Sequence, residues 1–249
     1  MIHAFCNVAL APIRAENSDK SEMISQILFG EGLEILEIKE NWSYIKCVYD
    51  NYEGWVDSKQ YKITKNLVSA DFLSFHLSHA CQFDSLSFPL VLGSRLPNFD
   101  GINFTIEKEK YIYNGKAIDS KKNAISNLQK LALKYINAPY LWGGKSPYGI
   151  DCSGYTQMVF SFFNIVLPRD AYLQANLGET INFVGEARVG DLAFFGKEEK
   201  ITHVGICLGN NEIIHASGKV RMDILDHIGI YNKELKKYTH FIKTIKRLI

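Results

Sequence analysis

The sequence predicts an α+β fold in which an all-β region precedes a domain whose helices come before its strands. Three observations support this prediction. Residues 1–118 alternate short β-type runs with turns, residues 120–163 place apolar side chains at helical spacing, and residues 190–248 return to apolar, β-branched runs. Because the helical and strand patterns of the second half occupy separate stretches, we do not expect a doubly wound sheet.

The first predicted domain is a small barrel over residues 1–62. Apolar and polar residues alternate at 33–38 and again at 42–48, with turn residues between the two runs. Several short strands at this spacing are typical of a small barrel. We expect Trp42 and Trp55 to lie in its core.

Residues 63–118 form the second predicted domain. Strand and turn patterns recur at 102–106 and at 110–115. A second, degenerate barrel fits this length and turn spacing. For residues 69–79, which read SADFLSFHLSH, a helical connection is the alternative.

The third predicted domain covers residues 119–249. Apolar residues at 124–136 repeat at helical spacing, and Pro139 then stops this helix. The later run GDLAFF, which begins at Gly190, opens a sheet that ends with a strand at 241–248. Helices first and strands second are typical of an α+β domain.

A loop rich in glycine, proline and serine leads into the tetrapeptide Asp151-Cys152-Ser153-Gly154. Apolar residues at 155–163 follow helical spacing, so Cys152 lies at or near the amino-terminal end of a helix. Unpaired backbone N–H groups and the positive end of the helix dipole favour a thiolate at that place. Cys152 is therefore a candidate nucleophile.

Two histidines are candidate partners for this thiol. His203 lies in the stretch ITHVGICLG and His215 in EIIHASG, and a turn separates these predicted strands. A nucleophile on a helix that faces a base and its orienting group on strands is a papain-like arrangement. A zinc site of Cys152, His203 and His215 is the alternative, since all three are ligand types. Surface or capping roles are the default for the other histidines, which are His3, His76, His79, His227 and His240.

Composition limits the classes of function. With 28 basic and 27 acidic residues the net charge is +1, which excludes a dominant basic field for nucleic acid or membranes. Five scattered cysteines do not suit a disulfide framework and indicate a reducing compartment. The sequence lacks a basic leader region and a span of about 20 apolar residues, so we expect a cytoplasmic monomer, or a periplasmic or secreted protein if a leader was removed.

The ordered motifs YLWGG, DCSG, PRDA, GDLAFF, THVGI and IIHASG resemble those of the NlpC-type cell-wall cysteine peptidases, whose fold is a reduced papain-like α+β domain. The resemblance covers roughly the last half of the chain. It implies that Cys152 is the nucleophile, His203 the general base and acid, and His215 the orienting group. It also implies that Tyr140 helps the Cys152 backbone N–H to form the oxyanion hole, and that no metal or organic cofactor is needed.

The loop after Arg14 and the run Tyr52-Glu53-Gly54-Trp55-Val56 resemble a bacterial Src-homology-3-like domain. The family branch with two such barrels ahead of the peptidase consists of γ-D-glutamyl-L-diamino acid endopeptidases, which act on murein peptides with a free amino-terminal L-alanine. The resemblance implies a set of substrate-binding residues, which are Asp151, Ser153, Glu16, Tyr52 and Trp142.

Each of these binding roles has a structural alternative. Asp151 could instead cap the helix that follows it. Glu16 and Tyr52 could be solvated loop residues, and Trp142 could belong to the core. These alternatives stay open at the level of the sequence.

The function implied is hydrolysis of the γ-D-glutamyl-diamino acid bond of L-Ala-γ-D-Glu-diamino acid peptides in cell-wall recycling. Both diaminopimelate and lysine fit as the diamino acid. A secreted endopeptidase that acts on polymeric peptidoglycan is one alternative. A catalytically inert wall-binding protein is a second alternative, and a related acyltransferase or amidase on the same fold is a third.

Overall fold

The computed structural model describes residues 2–249, and these divide into two compact units. The first unit comprises residues 2–123, 142–147 and 161–166, and the second comprises residues 124–141, 148–160 and 167–249. Strands predominate and helices are few, which confirms the α+β prediction. Between residues 2 and 249, no helix has the length and apolar character that crossing a membrane requires. The predicted domain boundaries at residues 62 and 118 stay predictions.

The first unit is built from short strands. They are β1 (Ile2–Cys6), β2 (Leu10–Arg14), β3 (Met23–Leu28), β4 (Gly32–Lys39), β5 (Trp42–Cys47), β6 (Glu53–Asp57), β7 (Tyr61–Thr64), β8 (Phe72–Ser74), β9 (Ser78–Phe83), β10 (Leu86–Val91), β11 (Asn103–Ile106), β12 (Glu109–Ile112), β13 (Ala117–Asp119) and β14 (Lys145–Ser146).

Strands β1 to β7 form one sheet in the order β3-β2-β6-β5-β4-β1-β7, around a core that includes Ile13, Leu33 and Ile45. The two alternating runs predicted in this region are confirmed as β4 and β5, which pair antiparallel. The expectation of core tryptophans is wrong. Successive side chains of a strand point to opposite faces, and because Ile45 points inward, Trp42 does not. Trp55 is likewise half-buried.

A second core in this unit is rich in aromatic residues. Strands β9 to β12 form a sheet in the order β10-β9-β12-β11, and β8 pairs with β13. Phe29, Phe104 and Tyr111 are buried together there, with ring centroids 4.8–5.9 Å apart. Residues 69–79 contain β8 and the start of β9 and no helix, so the helical alternative for that segment is wrong.

The segment 142–147, which precedes the candidate nucleophile in the chain, is bound to β3 within the first unit. The Lys145 backbone N–H donates to Gln26 Oε1 (2.8 Å), and the buried Lys145 ammonium lies 3.5 Å from Glu31 Oε1. Gly143 has a φ of +77°, and a Cβ at that position would lie 2.4 Å from the Met23 carbonyl oxygen. Only glycine fits such a close backbone approach without strain.

The second unit contains the longer helix and a large sheet. Its elements are α1 (Leu128–Leu133), β15 (Gly149–Ile150), α2 (Cys152–Ser161), α3 (Ala171–Gln174), β16 (Glu179–Ile181), β17 (Leu192–Lys197), β18 (Lys200–Gly209), β19 (Glu212–Ser217), β20 (Lys219–Leu225), β21 (Gly229–Asn232) and β22 (Lys237–Arg247), with 3₁₀ turns at Ile125–Asn127 and Val184–Glu186.

The sheet order is β16-β22-β17-β18-β19-β20-β21, and β21 also pairs with β22, so that six strands close on themselves. The sheet's own core includes Phe195, Cys207 and Ile213. Because β18, β19 and β20 are consecutive antiparallel neighbours, side chains on one face of these three strands lie side by side.

The first helix of this unit is shorter than its apolar periodicity predicts. Regular α-helix ends at Leu133, and the Lys134 and Tyr135 N–H groups bond three residues back instead of four. Asn137 then adopts a left-handed conformation, with φ at 65°, and its N–H bonds to the Val220 carbonyl of β20. Pairing with the sheet therefore replaces the last predicted turn.

Candidate active site

Cys152 is the first residue of α2, as the sequence predicted, and its side chain is 6% exposed. The Asp151 carboxylate accepts a hydrogen bond from the Gly154 N–H at 2.7 Å, which satisfies one of the free donors at the helix start. The capping alternative for Asp151 is therefore present in the structure.

A buried arginine holds the same carboxylate. Arg169 Nη2 lies 2.5 Å from Asp151 Oδ2, and its Nη1 donates to Asp151 Oδ1 (3.1 Å) and to Ser153 Oγ (2.9 Å). All three side chains are buried. An amine bound by Asp151 and Ser153 would therefore share them with Arg169. Sequence reasoning missed Arg169, although the PRDA motif contained it.

Two glutamines fix the segment that carries Arg169 to α2. Gln157 Nε2 donates to the Leu167 carbonyl at 2.8 Å. Gln174 Nε2 donates to the Pro168 carbonyl at 2.8 Å and to the Ser153 carbonyl at 3.1 Å. Because both glutamines are buried, these bonds hold the arginine in place beside the helix start.

The two predicted histidines meet directly. A hydrogen bond joins His203 Nε2, from β18, to His215 Nδ1, from β19, at 2.8 Å. On the far side of the pair, His215 Nε2 lies 3.2 Å from Asp223 Oδ2, from β20. All three side chains are buried. Asp223 is a further residue that sequence reasoning missed.

Burial acts on the protonation of the candidate nucleophile. The pKa of the Cys152 thiol is raised to about 12, mainly by burial and in smaller part by the Asp151 charge, while hydrogen bonds from the Val204 and Ser153 N–H groups act in the opposite direction. Burial also lowers the pKa of His203 well below its ordinary value, and His215 and His240 add to that shift.

Burial therefore opposes the thiolate that the helix end favours, and it also opposes the charged form of the His203 imidazole. The bond from the Val204 N–H to the sulfur brings Cys152 against β18, one residue beyond His203.

His240 joins this group from β22, so the default surface role expected for it is wrong. Its ring stacks on that of His203, with centroids 4.1 Å apart and planes 24° apart. Burial lowers the pKa of His240 to about 4, and the neighbouring His215 adds to this effect. The sequence pattern began the last strand at residue 241, whereas β22 begins at Lys237 and includes His240.

The nitrogens of His203, His215 and His240 come within 4.8 Å of one another, which is a spacing that a metal ion can bridge. Their orientation does not suit one. Imidazole lone pairs lie in the ring planes, and the stacked rings of His203 and His240 direct theirs side by side instead of toward one point. His203 and His215 are already joined by a hydrogen bond. The donor geometry thus favours hydrogen bonding over coordination.

Tyr140 lies in the second unit beside the start of α2. Its N–H bonds to the Gly218 carbonyl at 3.0 Å, and its side chain is partly exposed. The pKa of its hydroxyl is raised to about 12, mainly by partial burial, and the neighbouring Cys152 and Asp151 contribute to this shift. The hydroxyl therefore keeps its proton at neutral pH and is available as a donor.

The other predicted binding residues lie in the first unit. Trp142 is 60% exposed and donates from Nε1 to Glu22 Oε1 at 2.6 Å, so its core alternative is wrong. Glu16 is exposed in the loop between β2 and β3, and Tyr52 is half-buried in the loop between β5 and β6. Their roles in substrate binding stay predictions.

Comparisons with known proteins agree with this geometry. Residues 137–242 match the NlpC/P60 family model, and residues 13–60 match the bacterial dipeptidyl-peptidase Sh3 domain. The γ-D-glutamyl-L-lysine dipeptidyl-peptidase of Bacillus subtilis strain 168 is 27% identical over 236 residues, which are 85% of this chain and 78% of that protein. Dipeptidyl-peptidase 6 of Lysinibacillus sphaericus is 28% identical over 262 residues, which are 90% of this chain and 92% of that protein.

A solved structure shows the same fold along the whole chain. The crystal structure of an NlpC/P60 family protein from Bacillus cereus ATCC 10987 matches with a TM-score of 0.79 at 18% identity, over 99% of each chain. The family model spans the segment that carries the buried cysteine and both histidines. Residues 137–242 of the chain therefore form an NlpC/P60 cysteine peptidase domain, and residues 13–60 ahead of it form a bacterial Sh3 domain.

Proposed function

We propose that this peptidase hydrolyses the γ-D-glutamyl-diamino acid bond of murein peptides with a free amino-terminal L-alanine, and that it acts in cell-wall peptide recycling. The observation that carries the proposal is the buried hydrogen-bonded pair of His203 and His215, together with Cys152 at the start of α2, whose sulfur accepts a hydrogen bond from the N–H of Val204, the residue after His203. The similarity to the γ-D-glutamyl-L-lysine dipeptidyl-peptidase of Bacillus subtilis supports the choice of substrate.

The reaction begins with proton transfer from Cys152 Sγ to His203 Nδ1. Nδ1 is the nitrogen to use, because His203 Nε2 is already engaged with His215. The sulfur attacks the γ-carbonyl carbon of D-glutamate, and the carbonyl oxygen takes up the electron pair. The Cys152 N–H and the Tyr140 hydroxyl are the proposed donors to this oxyanion.

The intermediate collapses when His203 returns its proton to the departing amine of the diamino acid. A thioester between Cys152 and the γ-carboxyl of L-Ala-D-Glu remains. Water then gives a proton to His203 and attacks the thioester carbon, and Cys152 regains its proton as the dipeptide leaves. His215 holds the imidazole of His203 in one orientation through both halves of the reaction.

Recognition of the substrate amine is assigned to Asp151 and Ser153. Their oxygens are buried at the start of α2, where Arg169 neutralises the carboxylate in the free protein. A substrate ammonium adds a second cation to this group, and charge-assisted hydrogen bonds to both oxygens compensate for its loss of water. A neutral acyl group at the same position provides no such charge.

The test compares L-Ala-γ-D-Glu-L-Lys with its N-acetylated form and with intact murein sacculi. We expect release of lysine from the free-amine peptide, with kcat/KM lower by about 10²-fold or more for the acetylated one, since a buried charged hydrogen bond is lost. Sacculi should release no peptides. Equal rates for both peptides would remove the amine assignment, and release from sacculi would favour the polymer endopeptidase instead.

A further inference from the structure

We infer that Asp223 is a positioning residue for catalysis, which acts through His215 to keep Nδ1 of His203 free of its proton. This inference rests on the proposed function, because it assigns a role within that same site. Asp223 is absent from the motifs that identified the site, and it is the most deeply buried carboxylate beside the two histidines.

The His203–His215 hydrogen bond alone does not determine which ring nitrogen of His203 carries its proton. In one arrangement His203 Nε2 carries the proton and donates to His215 Nδ1, which leaves His203 Nδ1 free to accept a proton. In the other arrangement His215 Nδ1 donates, and the proton of neutral His203 then occupies Nδ1. Only the first arrangement can take a proton from Cys152. A further group must therefore distinguish the two.

Asp223 selects between the two arrangements through its contact with His215, on the side away from His203. Its Oδ2 lies 3.2 Å from His215 Nε2, and an ionised carboxylate can only accept. His215 Nε2 therefore carries the proton, its Nδ1 accepts, and His203 Nε2 must donate. The order of the network assigns the free lone pair to His203 Nδ1.

Several donors keep Asp223 ionised despite its burial. Arg221 Nε donates to Oδ2 at 2.7 Å, and Arg221 Nη2 donates to Oδ1 at 3.2 Å. The Lys233 backbone N–H donates to Oδ1 at 3.2 Å. Burial alone would raise the pKa of Asp223, but these bonds and the one from His215 outweigh it and hold the pKa below its ordinary value. The carboxylate therefore remains an acceptor at neutral pH.

The strand register places this group at His215. Within the β19–β20 ladder His215 is directly opposite Arg221, so Asp223, two residues further along β20, is a diagonal neighbour on the same face. Arg221 Nη1 also lies 3.0 Å from Oε2 of the exposed Glu234, and this ion pair helps to fix the position of the guanidinium. The chain of contacts runs from His203 through His215 and Asp223 to Arg221.

The test is Asp223→Asn, with nitrogen NMR of the histidine side chains. An amide of the same shape can donate from its nitrogen, so it permits the wrong tautomer of His215. In the wild type we expect an unprotonated Nδ1 and a protonated Nε2 on His203, and in the variant a population with these exchanged. The expected kinetic result is a fall in kcat of about 10²–10⁴-fold with KM changed by less than about threefold.

Asp226→Asn is the matched control. Asp226 lies just beyond β20, accepts bonds from Tyr238 and from backbone N–H groups, and has no contact with either histidine among its hydrogen bonds. It should leave kcat and the tautomers unchanged. Unchanged tautomers and kcat in Asp223→Asn would overturn the inference. If that variant does not fold, the wild-type spectrum still decides, because a protonated His203 Nδ1 contradicts the role.

A substrate-free measurement separates this inference from the proposed function. The rate of Cys152 alkylation by iodoacetamide depends on proton transfer to His203, and we expect it to fall in Asp223→Asn together with the change in tautomer. If murein peptides were not hydrolysed by the wild type but alkylation and tautomer still changed in this way, the proposed substrate would be wrong and the role of Asp223 would stand.

Discussion

Replacement of Cys152 by alanine is expected to lower kcat/KM for L-Ala-γ-D-Glu-L-Lys by about 10⁴-fold or more, because no other group can form the thioester. Peptide binding should persist, since the substitution removes only a sulfur. The measurement is lysine release at several enzyme concentrations, with peptide affinity measured by calorimetry.

Cys207→Ala is the control for this substitution. Cys207 is a buried thiol of β18 in the same unit, and it packs in the sheet core among apolar side chains. We expect this variant to lose some stability and to keep its turnover. A Cys152→Ala protein that still hydrolyses the peptide, or a Cys207→Ala protein that is folded but inactive, would contradict the assignment of the nucleophile.

Arg169→Met is expected to cost about 3–5 kcal/mol of unfolding free energy, because it leaves the buried Asp151 carboxylate without its cation. The Ser153 hydroxyl loses a donor in the same substitution. The free energy of unfolding is measured by urea titration followed by circular dichroism. The effect should be far larger than that of breaking an exposed pair, such as Lys233 with Glu212.

Two comparison variants test whether the buried negative charge of Asp151 causes this loss of stability. In Asp151→Asn with Arg169→Met, the charge is gone and the asparagine still accepts from the Gly154 N–H, so most of the lost stability should return. Lys233→Met should cost less than about 1 kcal/mol. If Arg169→Met and Lys233→Met were equally mild, Asp151 would not depend on Arg169 for its burial.

The sequence predicted the site correctly where one short segment determines both the local structure and the position of a candidate functional residue. The turn-rich loop before Cys152 and the helical spacing after it predicted a helix start, and α2 begins at Cys152. His203 and His215 flank a turn between β-branched runs, and the structure joins their side chains. In these cases a few adjacent residues determine the local conformation, so the prediction did not require knowing which distant segments of the chain pair.

The missed residues depend on contacts between distant parts of the chain. Asp223 lies beside His215 because of the register between β19 and β20. His240 lies beside His203 because β22 begins before the apolar run that predicted it. Arg169 contacts Asp151 because buried glutamines hold its loop against α2. Arg221 and Asp223 are two residues apart on one strand, so the sequence alone indicates that their side chains share a face. Their contact with the histidine pair follows only when the strand register places His215 opposite Arg221.

The most direct test of the account compares γ-linked with α-linked L-Ala-D-Glu-diaminopimelate, with products identified by mass spectrometry. We expect L-Ala-D-Glu and free diaminopimelate from the γ-linked peptide alone, with none formed by Cys152→Ala. Cleavage between L-alanine and D-glutamate, equal cleavage of both isomers, or no hydrolysis by the wild type would contradict it.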